Sequence, residues 1–251
     1  MKLHQFLSKT GKFASKNEIS KAIKNSEIEI QNDKKNEGKK RAINNPIQHL
    51  KPKDRIYWKG KELKLVEDKI YILINKPKGY LSSKLSKTDI NLKKKSVFDL
   101  LKNLKLDEEL KKTLFCVGRL DEDTSGLLII TNDGEFGSKI TDPKNEIRKT
   151  YVADLEDDVD EIVLNKIRNG VTITLEENGK ISKYQTKKCE IEKLEKKKIK
   201  ISVIEGKKRE IRRMFEAVNN KVINLKRISI GNILLEDLKD GEWRIFEKID
   251  F

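Results

Sequence analysis

Cysteine and histidine are scarce in this sequence, whose 251 residues contain two of each. Cys116 and Cys189 are too few and too far apart along the chain to form a disulfide framework or a zinc site. His4 and His49 both lie in the first fifth of the chain, so a Ser-His-Asp or Cys-His mechanism would have to draw its base from there. We therefore expect any catalysis to rest on carboxylates, lysine, tyrosine or arginine.

Long apolar runs are also missing. The longest purely aliphatic stretch covers residues 127–130, whereas a membrane-spanning helix needs about 20 apolar residues. Residues 1–9 contain no apolar core of signal-peptide length. These absences exclude a transmembrane helix and predict a protein that stays in the cytoplasm and does not bind a membrane.

Positive charge is in excess and is unevenly distributed. Lysine and arginine number 56 against 41 aspartates and glutamates, a formal net charge of +15. Residues 1–66 hold 17 basic and 7 acidic residues, a net charge of +10, and the remaining 185 residues carry only +5. A basic front module is typical of nucleic-acid binding, although a lysine-rich proteome would produce the same excess.

The front of the chain has the pattern of a small domain over residues 1–62. Ser15 and Glu18 form a capping box that predicts a short helix with Ile19, Ala22 and Ile23 on its apolar face. Strand patterns follow at 28–30 and 56–58. The polar run 31–45 predicts a turn or loop, and residues 60–68 predict a linker.

A second domain is expected over residues 68–251. Strand patterns occur at 70–74, 127–131, 150–153 and 199–203, and a short amphipathic helix is expected at 97–104. The spacing of Ile211, Met214, Phe215 and Val218 predicts another helix. Because strands and helices do not alternate regularly and no repeat is present, the fold class is α+β.

The stretch 118–134 carries the most chemistry. It is a loop with an arginine and three carboxylates that leads directly into a buried strand, which places Asp121 at the mouth of a sheet beside Arg119. A carboxylate in that position can act as nucleophile or as base. Taken alone, acidic residues in such a loop are more often solvated, which is how we interpret Glu122 and Asp123.

Four blocks together resemble the RsuA type of ribosomal RNA pseudouridine synthases. The sequences GRLD at 118–121 and TSGL at 124–127 look like the family's catalytic-aspartate motif. The other blocks are similar to the family's first turn, its lysine-x-tyrosine motif and its arginine-bearing helix, and they lie at 75–79, 149–151 and 205–218. The likeness continues through 225–227, 230–231 and 238–244 and so covers essentially residues 70–246.

This resemblance implies a reaction in which a uracil base is detached from its ribose, turned over and rejoined through its carbon 5, with no cofactor and no metal. It implies a catalytic domain built on a mixed, largely antiparallel sheet with flanking helices. Asp121 would be the catalytic group, and whether it attacks the nucleotide or removes a proton from the sugar stays open. The target uridine would have to leave its stack, at a cost of a few kcal/mol.

The resemblance also assigns roles to residues around Asp121. Arg119 would hold the flipped-out nucleotide, and Tyr151 would lie against the uracil face. Arg212 would pair with Asp121, although an offset of one residue in the helix would bring Arg213 into that place. The remaining substrate-binding candidates are Lys76, as a phosphate or backbone contact, and Lys149.

The front module is similar to the S4-type RNA-binding domain that precedes the catalytic domain in this family. It departs from that pattern at His4 and at Asn32 and Asp33.

We expect a monomer that acts on ribosomal RNA, with the large-subunit RNA favoured by the form of residues 210–213 and 241–243. The alternatives are an RNA-binding or ribosome-assembly protein without catalysis, and a metal-dependent RNA hydrolase that uses the three carboxylates 121–123.

Overall fold

The computed structural model of the protein describes residues 1–32, 39–177 and 179–250. The Asp33 position, at which the sequence departs from the S4-type pattern, lies outside the described residues. Among the helices that are described, none combines the length and the apolar character needed to cross a bilayer.

Short helices and strands make up the described residues. In chain order the α-helices are α1 (Leu3–Ser8), α2 (Lys16–Lys24), α3 (Lys87–Asn91), α4 (Glu108–Thr113), α5 (Gly134–Thr141), α6 (Glu161–Arg168) and α7 (Glu210–Glu216). Short 3₁₀ helices cover Val97–Leu101 and Pro143–Asn145. The strands are β1 (Ile28–Gln31), β2 (Lys40–Ala42), β3 (Arg55–Trp58), β4 (Lys61–Glu62), β5 (Tyr71–Lys76), β6 (Tyr80–Leu81), β7 (Lys95–Ser96), β8 (Phe115–Val117), β9 (Ser125–Thr131), β10 (Lys149–Leu155), β11 (Thr172–Glu177), β12 (Lys180–Gln185), β13 (Glu190–Glu195), β14 (Lys198–Val203), β15 (Val222–Ile230), β16 (Ile233–Leu234) and β17 (Trp243–Ile245).

The chain forms two compact units. The first comprises Met1–Ile70 and Leu104–Phe115, and the second comprises Tyr71–Asn103 and Cys116–Phe251. The segment 104–115, which the sequence analysis places in the second domain, packs with the first unit. Gly11 allows part of this close packing. Its φ is +67°, and a Cβ on Gly11 would lie 2.2 Å from the Glu109 carbonyl oxygen. The ammonium of Lys12 also pairs with the Glu109 carboxylate.

The first unit joins α1 and α2 to an antiparallel sheet with the strand order β2-β1-β3-β4. The predicted start of α2 is confirmed: the Ser15 hydroxyl accepts a hydrogen bond from the Glu18 N–H at 3.2 Å. Ile19, Ala22 and Ile23 are buried in the core of this unit, as their helical spacing predicts.

Two predictions for the first unit are wrong. The run 31–45 contains β2, which pairs with β1 although its three side chains are exposed and show no apolar alternation. The expected linker 60–68 contains β4 and the buried Leu63, and the Val66 N–H donates to the Lys9 carbonyl at 3.0 Å. Backbone hydrogen bonding therefore extends this unit further than the composition indicates.

A mixed sheet with the strand order β13-β14-β10-β15-β9-β5-β17 forms the second unit, with β16 on β15 and β8 on β9. β9 and β15 are parallel, and the other pairs along this order are antiparallel. One face of β5 and β9 packs on Phe136 and Ile140 of α5. The predicted fold class, α+β on a mixed and largely antiparallel sheet, is confirmed.

Gly126 lies where the parallel strands β9 and β15 come closest. Its φ is +105°, and a Cβ at this position would lie 2.2 Å from the Arg227 carbonyl oxygen and 2.6 Å from the Arg227 nitrogen. Glycine alone fits both the dihedral angle and the space. Gly126 pairs with Arg227 in β15 and with Lys76 in β5, so it lies in the middle of the sheet.

We expect Gly126→Ala to lower the free energy of unfolding by about 3 kcal/mol, because the methyl group adds a backbone clash to an unfavourable φ. Thermal unfolding followed by circular dichroism should show a Tm lower by about 6–12 °C.

Gly134→Ala is the matched control, because Gly134 is the first residue of α5 and a Cβ there meets no atom within 4 Å. We expect this variant to be as stable as the wild type or slightly more stable. A Gly126→Ala protein that unfolds at the wild-type temperature would contradict the steric role of Gly126.

Candidate active site

A cavity of about 550 Å³ lies within the second unit, between the loop that precedes β9, the strands β10, β14 and β15, and the start of α7. This volume is typical of a site for one small ligand group. Its polar and charged lining residues include Arg119, Asp121, Thr124, Lys149, Tyr151, Tyr184, Glu205, Glu210 and Arg227.

Asp121 lies on the loop between β8 and β9, is half-buried and lines the cavity. The loop is held on both sides of this residue. The Thr124 N–H donates to the Asp121 carbonyl at 3.1 Å. The Ser82 hydroxyl donates to the Leu120 carbonyl at 2.9 Å and accepts from the Leu120 N–H at 3.1 Å. Arg119 lines the same cavity with an exposed side chain, as the sequence analysis anticipates for a residue that meets substrate.

Lys76 is bonded to this loop, and its side chain has no exposed surface. Its ammonium donates to the Pro77 carbonyl at 3.0 Å and to the Glu122 carbonyl at 3.4 Å. Burial lowers the pKa of Lys76 to about 8, although the carboxylates of the loop act in the opposite direction. A phosphate contact, one of the two sequence predictions for Lys76, is therefore wrong, because the side chain is closed off from substrate.

Arg212 contacts Asp123 and not Asp121, which corrects the predicted pair. The Arg212 guanidinium donates to the Val222 carbonyl at 2.7 Å and to the Asp123 carbonyl at 3.1 Å, and it lies 3.3 Å from the Asp123 carboxylate. Arg209 donates to both oxygens of that carboxylate, at 3.2 and 3.1 Å. Asp123 thus pairs with two arginines, a contact that was not expected, while 46% of its side chain is exposed to solvent as predicted.

Of the two arginines that the helix offset leaves open, Arg212 is the one that points inward. It is 5% exposed, and Arg213 extends outward to donate to the Lys208 carbonyl at 2.9 Å. Arg213, predicted as a substrate-binding candidate, does not line the cavity. The 3.6-residue period explains the difference, because neighbouring helix residues point about 100° apart.

The carboxylates 121–123 do not converge on a common point. Glu122 pairs with the Lys94 ammonium at 2.8 Å, and Asp123 pairs with the arginines. Within the residues that the structure describes, no group of three or more acidic, cysteine or histidine side chains is arranged to hold a metal ion. The geometry therefore gives the hydrolase alternative no support.

Tyr151 and Lys149 reach the cavity from β10. Tyr151 is 9% exposed and contributes its ring to the lining. The Lys149 ammonium donates to the Ile147 carbonyl at 3.1 Å, and burial lowers its pKa. The lysine-x-tyrosine block thus places a cation and an aromatic ring on the same strand and on the same face of the sheet.

Arg227 also lines the cavity. The family resemblance includes residues 225–227 but predicts no role for Arg227. It lies on β15 directly across from Tyr151, and its guanidinium carbon is 6.0 Å from the centre of the Tyr151 ring. The position of Arg227 in the middle of β15 does not predict that it lines a cavity, because a strand pattern shows which face is buried but not that a charge can be accommodated there.

A carboxylate pair forms another wall of the cavity. Glu205 and Glu210 are 9% and 6% exposed, and the Glu205 carboxylate accepts from the Tyr184 hydroxyl and from the Lys187 N–H. Burial, with a contribution from neighbouring Glu205, raises the pKa of Glu210 to about 7. This pair is also absent from the sequence analysis, because a glutamate at a helix start ordinarily indicates a solvated first turn.

Comparison with known proteins agrees with this geometry. The sequence model described as RNA pseudouridylate synthase matches residues 70–217, so the chain belongs to that family. It is a pseudouridine synthase, an enzyme that isomerises uridine in RNA. The expected family and activity are thereby confirmed.

Individual relatives match over much of the chain. Ribosomal large subunit pseudouridine synthase B of Bacillus subtilis is 35% identical over 71% of this chain and 68% of its own. Ribosomal small subunit pseudouridine synthase A of Haemophilus influenzae is 29% identical over 97% of this chain and 95% of its own. A crystal structure of a pseudouridylate synthase superposes with a TM-score of 0.64 at 28% identity, over 98% of this chain and 96% of that one.

We expect Glu210→Gln to stabilise the protein at pH 8 and to have little effect at pH 5. Because the pKa of Glu210 is higher in the folded protein than in the unfolded chain, the folded state binds the extra proton, and stability falls as pH rises from about 4.5 through about 7. Glutamine imitates the protonated carboxyl group, so the difference at pH 8 should reach about 3 kcal/mol. Urea unfolding at both pH values measures it.

Glu216→Gln on the same helix is the control, because Glu216 is exposed. We expect the stability difference from wild type to be equal at both pH values for this variant. A pH-independent effect of Glu210→Gln would show that Glu210 is already ionised at its ordinary pKa in the folded protein.

Proposed function

We propose that this enzyme converts one specific uridine of ribosomal RNA to pseudouridine and that Asp121 is its catalytic group. The observation that carries the proposal is the half-buried Asp121 carboxylate at the wall of the 550 Å³ cavity. Among the described residues no arginine or lysine forms an ion pair with it. The carboxylate is therefore open to a substrate.

Ribosomal RNA is the proposed substrate because the relatives named above carry out this modification on the large or the small subunit. We favour the large-subunit RNA on the form of residues 210–213 and 241–243.

The reaction needs the base to enter the cavity and turn over. Asp121 either attacks the sugar or removes a proton from it, and both routes place its carboxylate against the ribose. Tyr151 offers an aromatic face to the flipped uracil, a contact that contributes about 1–3 kcal/mol per base. The exposed Arg119 at the edge of the cavity holds the flipped-out nucleotide, and Lys149 adds a cation beside it.

Arg212 and Lys76 act on this chemistry by positioning the loop. Both bond to backbone carbonyls of the residues that follow Asp121, namely Asp123 and Glu122. They therefore fix the direction of the Asp121 side chain without neutralising it. No cofactor is required for the proposed reaction.

We propose that the first unit is an S4-type RNA-binding domain and the second the catalytic domain. The limits predicted from the sequence, 1–62 and 68–251, become Met1–Ile70 with Leu104–Phe115 for the first and Tyr71–Asn103 with Cys116–Phe251 for the second. Residues 1–66 of the first unit carry a net charge of +10, which attracts phosphates irrespective of sequence. The cavity and the shape of the target then select the uridine. We propose that the enzyme works as a monomer in the cytoplasm, where it meets its ribosomal RNA.

Deletion of the gene should remove one pseudouridine from ribosomal RNA. Carbodiimide-dependent primer-extension stops, mapped in the deletion strain, should lack one stop that returns with the wild-type gene and not with Asp121→Asn. The purified Asp121→Asn protein should bind the RNA within about threefold of wild type, because the substitution removes the reactive group without changing the shape.

The matched control is Asp123→Asn, which alters the neighbouring carboxylate. It should slow the reaction through the loop but still restore the stop. A ribosomal RNA with every stop intact after deletion would contradict the proposed substrate, and a stop restored by Asp121→Asn would remove Asp121 from the mechanism. Activity that persists in EDTA would eliminate the metal-dependent alternative.

A further inference from the structure

Arg227 carries a buried charge that no acidic group balances. Its side chain is 2% exposed, and among the described residues it forms no ion pair with a carboxylate. The Nε–H donates to the Leu127 carbonyl at 2.7 Å, whereas Nη2 is buried and has no hydrogen-bond partner. Burying a guanidinium with an unused donor and no counter-charge is costly, and because Arg227 also lines the cavity, its charge indicates a ligand that carries or develops negative charge.

The surroundings of Arg227 define what kind of ligand this is. Arg227 lies between Tyr151, its neighbour across β10, and Gly126, its neighbour in β9. Thr124 is 2% exposed and lines the same cavity. Its hydroxyl likewise has no hydrogen-bond partner. A guanidinium whose central carbon lies 6.0 Å from the centre of an aromatic ring fits a flat heterocycle with polar edges.

We propose that Arg227 is a catalytic residue whose guanidinium binds a carbonyl oxygen of the target uracil from the side that lines the cavity and stabilises the negative charge that develops there. This inference deepens the proposed function and rests on it.

The chemistry of the reaction requires such a group. When the bond between C1′ of the ribose and N1 of the uracil breaks, the electron pair goes to N1 and is shared with the carbonyl oxygens O2 and O4. C1′ is then bonded to the Asp121 carboxylate, or doubly bonded to C2′ if Asp121 has taken the C2′ proton. When C5 of the base bonds to C1′, the Asp121 carboxylate leaves or returns its proton to C2′, C5 loses its proton and N1 gains one. Arg227 transfers no proton at either step. Its fixed positive charge, held by the Leu127 carbonyl before the substrate arrives, stabilises the anionic base electrostatically.

Chemical substitution of the substrate tests this contact. The probe is the ribosomal RNA fragment around the uridine located by the mapping experiment, synthesised with uridine, 2-thiouridine or 4-thiouridine at the target. Single-turnover rates are measured for the wild type and for Arg227→Lys, which keeps a positive charge but lacks the planar guanidinium. We expect Arg227→Lys to be about 100-fold slower on uridine and to bind the RNA within threefold of wild type.

The decisive readout is the coupling between the two changes. In the wild type, sulfur at one of the two carbonyl positions should slow the reaction about tenfold, because sulfur is a weak acceptor. In Arg227→Lys the same substitution should change the rate less than threefold. Intrinsic effects of sulfur on the leaving base occur in both proteins and cancel in the comparison.

Arg244→Lys serves as the matched control. Its guanidinium lies on β17, pairs with Glu236 at 2.6 Å and does not line the cavity, so its rates and sulfur effects should equal those of the wild type. If Arg227→Lys does not fold, Arg227→Gln takes its place with the same expected coupling.

Equal sulfur effects in wild type and variant, at both positions, would overturn the role of Arg227 while the proposed function stands. Wild-type rates that are unchanged by either thiouridine would also overturn it. A wild type that forms no pseudouridine on this fragment would contradict the proposed function and this inference together.

Discussion

The active site depends on the close approach of β15 to β9 at Gly126. These are the parallel neighbours that join the two parts of the large sheet. The loop that carries Asp121 leads into β9, and Arg227 lies on β15 directly beside Gly126. The backbone contact at this glycine therefore holds together the two strands from which both residues reach the cavity. Because the contact is between main-chain atoms, side-chain repacking cannot relax it.

Three cations around the loop that carries Asp121 bind its backbone carbonyl oxygens or those of the strand that follows. Lys76, Arg212 and Arg227 each donate to the backbone, at Glu122, Asp123 and Leu127 respectively. Such bonds fix the course of the main chain and leave Asp121 without an ion pair. Had these cations paired with Asp121 itself, the carboxylate would have to exchange one partner for another during the reaction. Asp123 takes up the charge of Arg209 and Arg212 in its place.

Periodicity and motif blocks were sufficient to predict the fold class, the start of α2, the end of β9 at Thr131, and the place of Asp121 near Arg119. They failed where the outcome depends on contacts between distant segments. Arg212 and Arg213 are adjacent in sequence, and only packing against β15 shows which one is inside. Asp123 was assigned to solvent because nothing local to it indicates Arg209. The buried Glu210 and Arg227 follow no pattern, since polar residues in a core are stabilised by partners far along the chain.

The composition of the first unit has a consequence for how the protein is made. That unit includes α4, whose residue Glu109 packs on Gly11, so the chain leaves the unit after Ile70 and returns at Leu104. During synthesis, the hydrophobic core of the first unit, whose buried residues lie between Leu3 and Leu63, is made before α4, and β5 of the second unit also leaves the ribosome before α4 does. The nascent chain therefore exposes Tyr71–Lys76 as an unpaired strand, although all of its residues are buried in the folded protein. Its partner strand β9 is synthesised about fifty residues later.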